Sequence, residues 1–266
     1  MPVLLCRCAQ AKVLPEPSLQ AARQNLRQAG VEFCEVADLC ALAQNRDPRL
    51  PTFATADSTI VACHPRAVHW LFAAAGAPLA PGVRLINLRT GDAAALQEQL
   101  RQVAPSPAPT ADLAEPTTQK AWFPVIDFAR CTQCLQCLSF CLFDVYAVDA
   151  AKHISVERPA NCKPDCPACS RVCPEAAIMF PKYAAAPIDG SPVTPENVGR
   201  EAVKVDVSAL MGGDVYQALR NRRRFSKERD PKLALEERRR QLAALGMHVS
   251  MPTANPDAPR APEKGS

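Results

Sequence analysis

The sequence predicts an α/β amino-terminal domain with a parallel sheet over residues 1–103, then a smaller α+β domain over 122–182. Three observations carry that reading. Short aliphatic runs alternate with helical periodicity through residues 1–103, which is how strands and helices of a parallel sheet are written. A stretch of Pro, Ala, Thr and Ser over 104–121, almost without large apolar residues, reads as an extended linker. The chain has 13 cysteines among 266 residues, and eight of them crowd into positions 131–173.

Val3, Leu4 and Leu5 open the first strand. Ser18 is placed to cap a helix with Leu19, Ala22, Leu26 and Ala29 on one face and Gly30 as its stop. Residues 31–36 resume a strand, and Asp38 caps a short helix beginning near Leu39 and Cys40. Thr59, Ile60, Val61 and Ala62 form a buried-strand run, and Pro65 suits the first turn of a helix carrying Val68, Leu71 and Phe72 toward Gly76. Residues 83–88 make a fourth strand, with Leu96, Leu100 and Val103 on a fourth helix.

The linker implies that the two domains are tethered rather than fused. Over 183–266 the Pro-rich pattern returns with two short helical stretches, 214–221 and 233–245, so this segment is expected to be largely disordered or short-helical, with little packing. It carries two basic patches, 220–227 and 238–240, fit for solvated helix faces or for docking on an acidic partner.

Composition narrows the function classes. A net charge of +4 and 5% aromatic residues argue against a protein built to grip nucleic acid. The first residues lack the basic leader and long apolar run of a signal peptide, so the expected location is the cytoplasm. The longest near-apolar run, 67–80, falls below the ~20 residues that span a bilayer and reads as a buried helix. There is no G-x-G-x-x-G, hence no flavin or nicotinamide site of that kind.

The crowded cysteines have a definite spacing. Cys131, Cys134, Cys137 and Cys141 follow C-x₂-C-x₂-C-x₃-C, and Cys162, Cys166, Cys169 and Cys173 repeat it with one added residue. Three thiolates two or three residues apart can wrap three corners of one cubane, while the fourth reaches the neighbouring cluster. Zinc, which takes four ligands in two separated pairs, fits this spacing poorly. A thiol-exchange reading of Cys166 and Cys169 lacks a βαβ context.

On these residues the segment 122–182 resembles a bacterial two-[4Fe–4S] ferredoxin domain. The resemblance implies a ferredoxin-like α+β fold and two clusters, one on Cys131, Cys134, Cys137 and Cys173, the other on Cys162, Cys166, Cys169 and Cys141. It also implies pseudo-twofold symmetry, with Val125, Ile126 and Asp127 before the first run matching Ile154, Ser155 and Val156 before the second. Strand or helix segments are expected over 142–148 and 175–180. Two departures are visible: Cys162 and Cys166 stand three residues apart rather than two, and Leu142 follows Cys141 where proline is usual.

Four more cysteines form a second group. In a parallel sheet Cys6 and Cys8 fall at the end of strand one, Cys40 just past strand two and Cys63 at the end of strand three, the edge where open α/β sheets bind ligands. Cys40 at a helix start favours thiolate, whereas Cys34 lies mid-strand as a small hydrophobe. A third metal cluster, a redox-active thiol or zinc site, and inert packed thiols are the alternatives. His64 and His69 read as ordinary polar residues. Cys6-Arg7-Cys8 and the run 61–66 resemble the N-terminal segment of the heterodisulfide reductase A subunit over residues 1–75, with Ala9 and His64 in place of glycine and serine.

The leading functional expectation is an electron carrier passing single electrons through two [4Fe–4S] clusters to or from a flavoprotein or other oxidoreductase. One alternative is a subunit of a thiol/disulfide oxidoreductase whose reaction site lies in the amino-terminal domain. The other is a redox-sensing binding protein.

Overall fold

The computed structural model describes residues 1–90, 93–103 and 120–195, within a unit spanning Met1–Val207; the second unit, Ser208–Ser266, lies outside the described residues. Residues 104–119 of the linker, both basic patches and the two carboxy-terminal helical stretches also lie outside them.

The amino-terminal half follows the expected alternation. Strands β1 (Val3–Cys6), β2 (Cys34–Val36), β3 (Thr59–Ala62) and β4 (Arg84–Asn87) form one parallel sheet in the order β2-β1-β3-β4. Between and after them run α1 (Glu16–Gln28), α2 (Leu39–Gln44), α3 (Pro65–Ala74) and α4 (Ala93–Arg101). Helix α1 packs with α4, and α2 with α3. That pairing is what right-handed crossovers require when the chain winds first one way and then the other from β1. The reversal lies between β1 and β3, and the crevice beyond their carboxyl ends is the binding edge of such a sheet.

Local signals explain the element ends, including two that differ from expectation. Helix α1 starts at Glu16 behind Pro15 with no side-chain cap, so Ser18 lies buried inside the helix rather than capping it. A proline in the first turn supplies the helical start instead. At its far end Gly30, at φ +67°, turns the chain while Gly30 N–H donates to Arg27 O and Val31 N–H to Leu26 O. That closure uses Val31, which is why the strand expected over 31–36 begins only at Cys34. Asp38 caps α2 as expected, its Oδ1 accepting from Ala41 N–H at 3.1 Å.

The second half has two short antiparallel pairs. Strand β5 (Val125–Ile126) pairs with β8 (Ile178–Met179), and β6 (Tyr146–Val148) with β7 (Ile154–Val156). Helices α5 (Gln136–Phe140) and α6 (Ala168–Arg171) pack together. Each expected strand position before a cysteine run is occupied, by β5 and β7, and each run is followed by a strand, β6 and β8.

The two halves are fused, not tethered. One apolar core runs from the parallel sheet through Ala121, Phe123, Val125 and Met179, and α3 packs on β5. Polar contacts lock the seam. Arg66 pairs with Asp127 at 2.7 Å and donates to Ala176 O at 2.6 Å. Arg89 donates to Pro181 O at 2.7 Å and to Tyr183 O. Lys182 and Asp38, each with 2% of its side chain exposed, pair at 2.5 Å.

Residues just past 183 are also part of this packing, contrary to the expectation for that segment. Asp189 meets His64 at 3.2 Å, and Arg66 reaches Ser191 O at 3.3 Å. At Gly190 an added Cβ would sit 2.4 Å from the Ala67 Cβ, so only glycine allows this approach. Burial opposes ionisation of Asp189, but hydrogen bonds from His64 and Ser191 hold its carboxyl down at about 2.

Two outcomes follow. Lys182→Met strands the buried Asp38 charge and lowers unfolding free energy by about 3–5 kcal/mol, read from denaturant titration. A chain ending at Tyr183 melts at a lower temperature than one ending at Pro195, because only the longer one keeps Asp189, Gly190 and Ser191; differential scanning calorimetry checks this.

Candidate metal centre

Each cysteine run is shaped by backbone that turns sharply between ligands. Gln133 and Leu135 in the first run adopt φ +58° and +60°, and Asp165 in the second +59°. Non-glycine residues seldom take this conformation, and here it lets three thiols of one loop face inward.

The first quartet shares one cavity. Cys131, Cys134, Cys137 and Cys173 line one small, partly open space whose other walls include Ile126, Leu135, Ile154 and Ile178. The fourth of these thiols, Cys173, comes from the second run. Backbone donors face these sulfurs: Ala177 N–H meets Cys173 Sγ at 3.3 Å, and Gln133 N–H faces Cys131. Burial is nevertheless the larger effect and pushes Cys131, Cys137 and Cys173 up.

Cys141, Cys162, Cys166 and Cys169 make the second group. Burial, followed by repulsion from Cys166 and Cys141, pushes Cys162 up to about 12. Cys169 also reaches about 12 through burial, and Cys162, Cys141 and Cys166 all add to it. The groups adjoin, since Cys169 is the thiol that acts most strongly on Cys137.

The remaining cysteines sit where the sheet reverses. Cys6 ends β1, Cys8 follows at φ +47°, Cys63 follows β3, and Cys40 is the second residue of α2. Leu39 N–H donates to Cys6 Sγ at 3.3 Å, N–H groups of Val13 and Ala11 face Cys8, and those of Cys63 and His64 face Cys63. The sulfurs feel one another: Cys8 acts on Cys6, Cys40 and Cys63. The helix-start expectation for Cys40 is corrected, because burial and then Asp38 drive its thiol well above the usual range. Helix α2 has only six residues, too little dipole to offset that. Cys34 is buried as the first residue of β2, at the register of Leu4, rather than mid-strand as expected, and lies away from the carboxyl ends of the strands.

Several residues around these groups escaped sequence reasoning. Lys182 and Arg89 supply the positive charge that opposes the rise at Cys8, Cys40 and Cys63. Trp122 stacks on Phe180, with centroids 5.0 Å apart, and donates to Cys166 O at 3.2 Å. A small space of ≈ 180 Å³ between the halves is lined by Cys40, Trp122, Phe180 and Lys182 among others. His64 is buried, held by Asp189 and by Asn87 at 3.3 Å, while His69 is exposed. Only long-range packing unites these residues, so no local signal could have found them.

Among the described residues, no three His, Cys, Asp or Glu side chains converge tightly enough to hold a single metal ion. A tetrahedral zinc site needs such convergence. A cubane does not, because each thiolate binds its own iron.

No family profile matches the chain. A 62-residue stretch is 44% identical to an uncharacterized ferredoxin of Methanocaldococcus jannaschii, covering 23% of this chain and 42% of that protein. This chain carries a ferredoxin-like segment. It spans about two fifths of that relative's length. Among the described residues no helix is long and apolar enough to cross a membrane.

In chain stripped of metal, exposed Cys134 is alkylated first at pH 8. Buried Cys6 and Cys40, their ionisation opposed by burial, are labelled only as the amino-terminal core opens. Timed iodoacetamide labelling with peptide mass spectrometry reads the order.

Proposed function

We propose that this protein is a cytoplasmic electron carrier holding two [4Fe–4S] clusters, one on Cys131, Cys134, Cys137 and Cys173, the other on Cys141, Cys162, Cys166 and Cys169. The observation that carries the reading is the cavity lined by Cys131, Cys134 and Cys137 of the first run together with Cys173 of the second. The donor set fits: all-thiolate ligation matches iron–sulfur chemistry, and the backbone N–H groups aimed at sulfur are what such thiolates receive. When bound, each cluster supplies one-electron chemistry over the range of about −700 to +450 mV that cluster type and surroundings select. With four cysteines per cluster no iron is left open to substrate, so the partner is another redox protein, a flavoprotein or an oxidoreductase subunit.

The thiols at the sheet reversal favour a second reading for the amino-terminal half. Cys6, Cys8 and Cys63 have backbone N–H groups facing sulfur, as Cys131 and Cys173 do in the ferredoxin-like segment, with Lys182 adding positive charge at Cys8 and Cys40 and Arg89 at Cys63. These features support a third cluster there, or a thiol reaction site of a heterodisulfide-reductase-like subunit, fed by electrons from the ferredoxin-like segment.

Anaerobically isolated protein carries at least about eight irons and eight sulfides per chain. Stoichiometric zinc in their place defeats the proposal. Cys137→Ala loses or converts one cluster and lowers the thermal midpoint, since small metal-bound folds draw folding energy from ligation. For the third site, wild-type chain binds about twelve irons, Cys63→Ser about eight, and Cys34→Ser the full complement. About eight irons in wild type excludes a third cluster.

A further inference from the structure

Tyr146 opens β6 and is 1% exposed. Its hydroxyl is fully buried, meets no nitrogen or oxygen acceptor, and faces the Cys169 sulfur, whose ionised form it favours. A buried hydroxyl in that state is costly, and native structures avoid it unless an acceptor is supplied from elsewhere. The groups around it are sulfurs. Cys169 is the first of them, with Cys137 and Cys141 also acting on the phenol. Strand β6 packs on α5, which packs on α6, the helix that carries Cys169.

The internal repeat gives a direct comparison. Tyr146 follows Cys141 by five residues and starts β6; Ile178 follows Cys173 by five residues and starts β8. Ile178 lines the cavity of the first quartet and has no hydroxyl to offer. At this position of the repeat the two sites thus differ by a single hydrogen-bond donor.

We infer that the Tyr146 hydroxyl is a built-in hydrogen-bond donor to the Cys169 sulfur of the site formed by Cys141, Cys162, Cys166 and Cys169, and that through this one bond it raises the reduction potential of that site alone. The physical reason is charge. Reduction by one electron adds negative charge that spreads onto the sulfurs, and an O–H donor stabilises the more negative state. Tyr146 acts through the Cys169 sulfur as a positioning residue and exchanges no proton. This inference rests on the two-cluster reading above.

The test is an anaerobic redox titration of the full chain with dithionite, followed by electron paramagnetic resonance, comparing wild type, Tyr146→Phe and Ile178→Val. Iron and sulfide content is measured first: without two clusters in wild type, the two-cluster reading itself fails. With two clusters present, Tyr146→Phe moves one reduction step to more negative potential and leaves the other in place, while Ile178→Val moves neither. Both steps unmoved, or both moved equally, overturns the inference. Should Tyr146→Phe lose a cluster, wild-type sequence produced with ring-fluorinated tyrosine strengthens the donor without removing it. The same single step then moves to more positive potential, and an unmoved step overturns the inference.

Discussion

Burial of thiols away from positive charge is the constraint on which the rest of this structure turns. Water and apolar side chains both fail to stabilise a buried thiolate, so every grouped cysteine at which burial dominates is driven toward the neutral thiol. The chain meets this cost with what it has: backbone N–H groups at Cys6, Cys8, Cys63, Cys131 and Cys173, and Lys182 and Arg89 at the sheet edge. These donors lessen the cost without removing it. Metal ligation, which requires deprotonated sulfur and brings its own charge, is the chemistry that balances such sites.

The same seam that brings cations to the thiols also joins the halves. Lys182 lies in the second half, yet its partner Asp38 caps α2 beside Cys40. Arg89 follows β4 and grips the carbonyls of Pro181 and Tyr183 while acting on Cys63. Trp122 touches the carbonyl of Cys166 and shares a small space with Cys40. Fusing the halves therefore sets the electrostatics of the amino-terminal thiols, which two tethered domains could not hold constant.

The internal repeat shows how a duplicated motif becomes two different sites. Spacing makes the runs alike, but each thiol group has its own surroundings: an apolar cavity with Ile178 for one, a buried phenol for the other. Cluster potentials respond to hydrogen bonds and solvent access around sulfur. Single neighbours are thus enough to separate the behaviour of nearly identical ligand sets.

Local chemistry was legible from the sequence because it depends on near neighbours. The parallel strands follow from aliphatic runs, α2 begins where Asp38 can accept a backbone proton, and Gly30 ends α1 because φ +67° suits glycine. The repeated spacing of the eight crowded cysteines is likewise written within short runs of sequence. Tertiary structure decided what distant residues do to one another: the fusion of the halves, the role of residues 187–191, the buried pair of Lys182 with Asp38, and the placement of Tyr146 among sulfurs of both runs. The physical reason is range. Capping, turns and ligand spacing are written within a few residues, whereas desolvation and buried charge pairing depend on segments more than a hundred positions apart, which only the packed chain brings together.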